Sequence, residues 1–137
     1  MNDRILIIED NLLNLELVTD LLEANGFSVL QAHTAEEGLR SAREFGPELI
    51  LMDLSLPGMD GLAATKLLKA DPTTSHLPVI ALTAHAMRGD DTLAKAAGCD
   101  GYLTKPIDTR RFLQQIANFL GAFRTRRPLN SMKNQPC

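Results

Sequence analysis

The sequence predicts a doubly wound α/β fold, a five-stranded parallel sheet in the order 2-1-3-4-5 with helices on both faces, and three observations carry that reading. Apolar runs and helical patterns alternate five times along the 137 residues without an internal repeat. Three of the runs, Arg4 to Ile8, Leu49 to Met52 and Val79 to Leu82, are apolar at consecutive positions, as strands buried on both faces are. The other two, Phe27 to Ala32 and Gly101 to Thr104, are interrupted by polar residues, as edge strands can be. With the second and fifth runs at the edges, the pattern suits the order 2-1-3-4-5, one of the two common doubly wound arrangements.

The intervening segments have helical spacing and recognisable ends. Leu15, Val18 and Leu22 recur on one face of the first helix, and Asn25-Gly26 offers the left-handed residue that stops it. Thr34-Ala35-Glu36-Glu37 fits a capping box for the second helix, whose Leu39, Ala42 and Phe45 are expected to face inward before Gly46-Pro47 ends it. A short third helix is expected from about Gly61 to Lys69, before Asp71-Pro72. The fourth, near Met87 to Ala97, contains Gly89 and has only Leu93 as a large central apolar residue, so it is expected to be the least stable. The fifth is expected to start at Asp108 as N-cap, to carry Phe112, Ile116, Phe119 and Leu120 on one stripe, and to end near Gly121. Residues 1–122 thus form one domain, and residues 123–137 read as a basic, disordered tail.

Composition narrows the class. With 45% hydrophobic and 23% charged residues the chain has a soluble globular profile, and its longest apolar runs are far short of the roughly 18 residues of a membrane span. Asp3, Glu9 and Asp10 stand where a secretory signal would need a basic start and a longer apolar stretch, so the expected location is the cytoplasm, with no membrane partner. Cys99 and Cys137 have no metal-ligand spacing, and a structural disulfide is not expected. The net charge of -3 divides into +4 on the tail, from Arg124, Arg126, Arg127 and Lys133, and -7 on the rest. An acidic body argues against nucleic acid as a partner, because phosphate backbones are gripped by clustered Lys and Arg.

In an open parallel sheet ligands collect beyond the carboxyl ends of the strands, where the strand order reverses. The first run ends in Glu9-Asp10, the third in Asp53, the fourth in Thr83 and the fifth in Thr104-Lys105. The predicted order makes these ends neighbours, so three carboxylates, a hydroxyl and an ammonium converge on one rim. Crowded carboxylates repel, and a hard divalent cation with oxygen ligands relieves them; Mg2+ is favoured because it takes one or two carboxylates and phosphate oxygens. With its charge screened, Asp53 could attack phosphorus, while Lys105 and Thr83 stabilise charge on the phosphoryl oxygens.

These residues sit in four motifs: Ile5 to Asn11, Leu49 to Gly61, Val79 to Ala84 and Asp100 to Pro106. In their order and separation, over residues 4 to about 121, they resemble the receiver domain of bacterial two-component response regulators, of the stand-alone, single-domain type. The resemblance implies a flavodoxin-like (βα)5 fold and an Asp53 that accepts a phosphoryl group from a histidine kinase or histidine phosphotransfer protein. It implies direct Mg2+ contacts from Asp10, Asp53 and the backbone carbonyl of Ser55, with Glu9 acting through water. Lys105 matches the lysine that pairs with the phosphoryl group, and Pro106 a proline after a cis peptide bond.

The resemblance also implies a switch. Thr83 matches the hydroxyl drawn to the phosphoryl group and Tyr102 the aromatic that turns inward behind it, while Ser55 and His85 match positions that tune the lifetime of the acyl phosphate. About 16 residues follow the expected fifth helix, too few for a DNA-binding unit, so the signal is expected to pass by contact to a downstream effector protein, from a monomer or a phosphorylation-dependent dimer. The chain would catalyse only its own phosphorylation and dephosphorylation. Two other classes stand beside this reading: a Mg2+-dependent aspartyl-phosphate phosphohydrolase and a phosphate-independent interaction module. The first would carry a second acid two residues after the nucleophile, where this chain has Ser55, and the intact set Glu9, Asp10, Asp53, Thr83 and Lys105 speaks against the second.

Overall fold

Consecutive β-branched and leucine residues form the strands of the computed structural model, which describes residues 3–54, 56, 60–83 and 90–126. The strands are β1 (Arg4–Ile8), β2 (Ser28–Ala32), β3 (Leu49–Asp53), β4 (Val79–Thr83) and β5 (Gly101–Thr104). They pair in parallel in the order β2-β1-β3-β4-β5, as expected. Every residue of β3 and β4 is buried, whereas β2 is mostly half-buried and β5 buries only Leu103. The apolar continuity of the central runs and the polar interruptions of the edge runs thus have one cause, coverage on two faces or on fewer.

The helices are α1 (Leu12–Glu23), α2 (Ala35–Phe45), α3 (Gly61–Ala70), α4 (Asp90–Ala97) and α5 (Phe112–Arg126). Asn11, Thr34 and Asp60 cap the first three, each accepting a backbone N–H from the first turn. The capping box of α2 is shifted by one residue, because Glu37 Oε1 accepts from His33 N at 2.6 Å rather than from the N-cap Thr34. Gly26 and Gly46 take φ of 91° and 53°, and Gly46 is the left-handed cap of α2.

Residues up to Ile107 form one compact unit and residues from Asp108 a second. In the first, Leu6, Ile8, Ile50 and Met52 share a core with Leu39 and Ala42 of α2 and Ala64 and Leu68 of α3. Alternation along a strand turns Ile5, Ile7, Leu49 and Leu51 to the opposite face, and they too are buried; α1, through Leu15, Val18 and Leu22, lies along β1 and β2. One residue expected to face inward does not: Phe45, at the last turn of α2, is exposed; in α4 the large apolar Leu93 is exposed as well, and Ala94 and Ala97 are buried. The part of α4 expected around Met87 to Gly89 lies outside the described residues.

In the second unit α5 buries Phe112, Ile116 and Leu120, with Phe119 half-buried. Asp108 opens a turn before the helix, its carboxylate accepting from Arg110 N at 3.0 Å, so the helix starts later than expected. It also continues past Gly121 to Arg126, because nothing in residues 121–126 breaks it; the rest of the expected tail lies outside the described residues.

Candidate functional site

The strand order brings the ends of β1, β3 and β4 side by side, with β5 next to β4. Carboxylate oxygens of Glu9, Asp10 and Asp53 lie within 4.8 Å of one another; Glu9 and Asp53 are buried and Asp10 is exposed. Lys105 enters this group from the end of β5, with Nζ 3.0 Å from Glu9 Oε1 and 3.1 Å from Asp53 Oδ1. Its backbone is tied to the rim as well: Lys105 N donates to Thr83 O at 2.8 Å, and the Lys105–Pro106 peptide bond is cis. Thr83, at the end of β4, is buried, and Leu54 N donates to Leu82 O at 3.1 Å, which fixes the chain just after Asp53.

The electrostatics of the rim are unbalanced. Glu9 Oε2 accepts from Asn11 N at 3.2 Å, but Oε1, although within ion-pair distance of Lys105, has no aligned hydrogen-bond donor among the described residues. The contact with Lys105 is an ion pair rather than an aligned hydrogen bond. Burial, reinforced by the neighbouring Asp53, pushes the Glu9 carboxyl up to about 7. Burial would lower the Lys105 ammonium, but Glu9 and Asp53 together hold it above its ordinary value. A buried oxygen held only by an ion pair with no aligned hydrogen bond, beside two more carboxylates, is a donor set that a hard divalent cation fits.

Tyr102 is 43% exposed and lines a cavity of about 300 Å³ with Lys95, Cys99 and Asp100, away from the acidic rim. Burial raises the Cys99 thiol, which lies 3.8 Å from Thr65 Oγ1. Ser55 and His85, the two expected kinetic positions, lie outside the described residues. Sequence reasoning overlooked the pair Lys69–Asp100, 2.9 Å apart, and the close approach of Gly61 to the Asp53 backbone. Spacing along the chain carries no signal for the first, whose members lie 31 residues apart. For the second, a glycine directly after the N-cap Asp60 was the available hint.

A parallel 2-1-3-4-5 sheet with three acids and a lysine at its strand ends defines a response-regulator receiver domain. Residues 5–117 match the response regulator receiver domain family, and the chain belongs to it. It is 46% identical over 121 residues to the polar-differentiation response regulator DivK of Brucella abortus, covering 88% of this chain and 98% of that protein. Among solved structures it is similar to the receiver domain of a sensor histidine kinase from Pseudomonas aeruginosa, with a TM-score of 0.82 and 32% identity over 88% of this chain and 99% of that one. That structure has a magnesium ion coordinated in its active site cleft. A putative response regulator from Chloroflexus aurantiacus has a TM-score of 0.83 at 28% identity, over 88% of this chain and 99% of that one. The chain is therefore a phosphorylation-dependent signalling switch.

Proposed function

We propose that Asp53 is the phosphoryl acceptor of this receiver and that Mg2+ is its cofactor. The observation that carries the reading is the placement of Lys105 Nζ between Glu9 and Asp53, beside an acidic cluster with a buried oxygen that has no aligned hydrogen bond. Asp10, Asp53 and the Ser55 carbonyl would hold the ion, with Glu9 reached through water; the ion supplies charge neutralisation that lets a phosphoryl group approach. The Asp53 carboxylate attacks phosphorus in line. An O–P bond forms as the donor's N–P bond, or the O–P bond of acetyl phosphate, breaks, and the bonding pair leaves with the donor atom, which takes a proton where it is a histidine nitrogen. Lys105 and the Thr83 hydroxyl stabilise the phosphoryl oxygens. Hydrolysis ends the phosphorylated state: water attacks phosphorus, the bond from phosphorus to the Asp53 oxygen breaks with its electron pair returning to the carboxylate, and inorganic phosphate departs with both protons of the water.

The donor is a histidine kinase or histidine phosphotransfer protein, and the output is an altered contact with an effector protein. A phosphoryl group that draws Thr83 toward it disturbs the end of β4, whose neighbour β5 carries Tyr102, and α4, whose buried side chains over residues 92–97 are two alanines, is weakly held. No described helix is long and apolar enough to cross a membrane. The test is intact-protein mass spectrometry after incubation with acetyl phosphate and Mg2+. The wild type is expected to gain one phosphoryl group, and neither Asp53→Asn nor the wild type in EDTA should do so. Equal uptake by Asp53→Asn would show that the acceptor lies elsewhere.

A further inference from the structure

The first turn of α3 touches the backbone of Asp53 itself. A Cβ on Gly61 would overlap the Asp53 carbonyl oxygen, and would lie 2.9 Å from Leu54 Cα and 3.0 Å from the Asp53 carbonyl carbon. These neighbours are main-chain atoms at the end of a strand whose other side is paired with β4, so they cannot rotate away. Gly38 makes an instructive contrast. A Cβ there would also be crowded, but by side-chain atoms of the buried Ile8 rather than by main chain.

The helix is also prevented from backing off. Asp60 Oδ1 accepts from Ala63 N at 2.8 Å, and the buried Thr65 hydroxyl donates to the Gly61 carbonyl at 2.8 Å. Two turns on, Lys69 Nζ donates to Leu77 O at 2.8 Å and to Asp100 Oδ2 at 2.9 Å, and the same Asp100 oxygen accepts from Val79 N at 2.9 Å. Residues 61, 65 and 69 fall on one stripe of α3, so one end abuts the acceptor and the other is fastened to the start of β4 and the approach to β5.

We propose that Gly61 is a positioning residue for phosphoryl transfer: the missing side chain, with α3 pinned at Thr65 and Lys69, sets where the Asp53 carboxylate sits relative to Lys105 and an incoming phosphorus. This rests on the reading of Asp53 as acceptor. A methyl group at 61 must be absorbed by the Asp53 main chain, and displacing a nucleophile by even about 1 Å can cost on the order of 100-fold in rate.

The test measures the rate of phosphoryl uptake from acetyl phosphate, and the Mg2+ dissociation constant by calorimetry, in the wild type, Gly61→Ala, Leu22→Ala and Asp53→Asn. Leu22→Ala removes a buried side chain from α1 and reports what lost stability alone does. Gly61→Ala is expected to slow uptake by about 10- to 100-fold and to weaken Mg2+ binding, with Leu22→Ala within about twofold of the wild type while folded. Should Gly61→Ala not fold, Thr65→Val, which removes the grip on the Gly61 carbonyl together with the contact to Cys99 Sγ, is expected to slow uptake by about threefold or more. Wild-type rates in Gly61→Ala, or in Thr65→Val where that variant is used, or equal slowing by Leu22→Ala, would overturn the proposal. Undiminished uptake by Asp53→Asn would instead overturn the reading on which it rests.

Discussion

Lys105 balances two carboxylates at once, and its removal shows how much the rim depends on that single ammonium. Lys105→Met leaves Glu9 and Asp53 facing each other in a buried site. Without metal this is expected to cost about 1–3 kcal/mol, below the value for a fully buried pair because the lysine is partly solvated. Urea denaturation in EDTA checks it, and Mg2+ should restore part of the loss if the cation takes over the charge. Glu9, Asp10, Asp53, Thr83 and Lys105 were legible in the sequence because each follows an apolar run and strand ends collect ligands. Gly61 was not, because a glycine after Asp60 hints at a close approach but does not say that the neighbour is the Asp53 carbonyl.

Some element ends were legible where a side chain or a glycine does the capping. Thr34 opens α2 and Gly46 closes it, by a local hydrogen bond and a left-handed φ that short motifs announce, whereas Asn11 and Asp60 cap α1 and α3 by the same kind of bond without having been read as caps. The ends of α5 were not, since Asp108 has the residue type of an N-cap but serves a turn, and the helix then runs on through residues that merely permit it. Phe45 was misplaced because helical spacing fixes a face, whereas burial depends on whether anything lies opposite. At the end of α3, Asp71 accepts from the Thr73 N–H and hydroxyl at 2.9 and 2.8 Å and lies 3.4 Å from Arg43, so these partners hold its carboxyl below the usual carboxylate range. A lowered folded-state value means that the ionised form stabilises the fold at neutral pH and that this is lost as pH falls from about 4 through the lowered value. Melting temperatures of the wild type and Asp71→Asn should therefore differ by a constant amount from pH 5 to 7 and converge below about pH 4. A gap that persists undiminished at pH 2.5 would contradict this.

At the scale of the molecule, consecutive apolar residues marked the central strands and polar interruptions the edges, and this pattern singled out 2-1-3-4-5 among the common doubly wound orders. That order assembles the rim, placing residues from positions 9, 53, 83 and 105 at neighbouring strand ends. How the rim is charged was less legible: the Glu9 oxygen without an aligned hydrogen bond and its raised carboxyl follow from burial depth, which composition does not reveal. The exposed Tyr102 beside a cavity shows one arrangement of the β5 edge, and phosphorylation is expected to favour another. The most direct measurement is a crystal structure of the protein with beryllium fluoride and Mg2+. Beryllium is expected bonded to a carboxylate oxygen of Asp53 and within reach of Lys105 and Thr83, with Mg2+ about 2.0–2.1 Å from oxygens of Asp10 and Asp53. Beryllium on another carboxylate, or Mg2+ bound while Asp53 carries no fluoride adduct, would contradict the account.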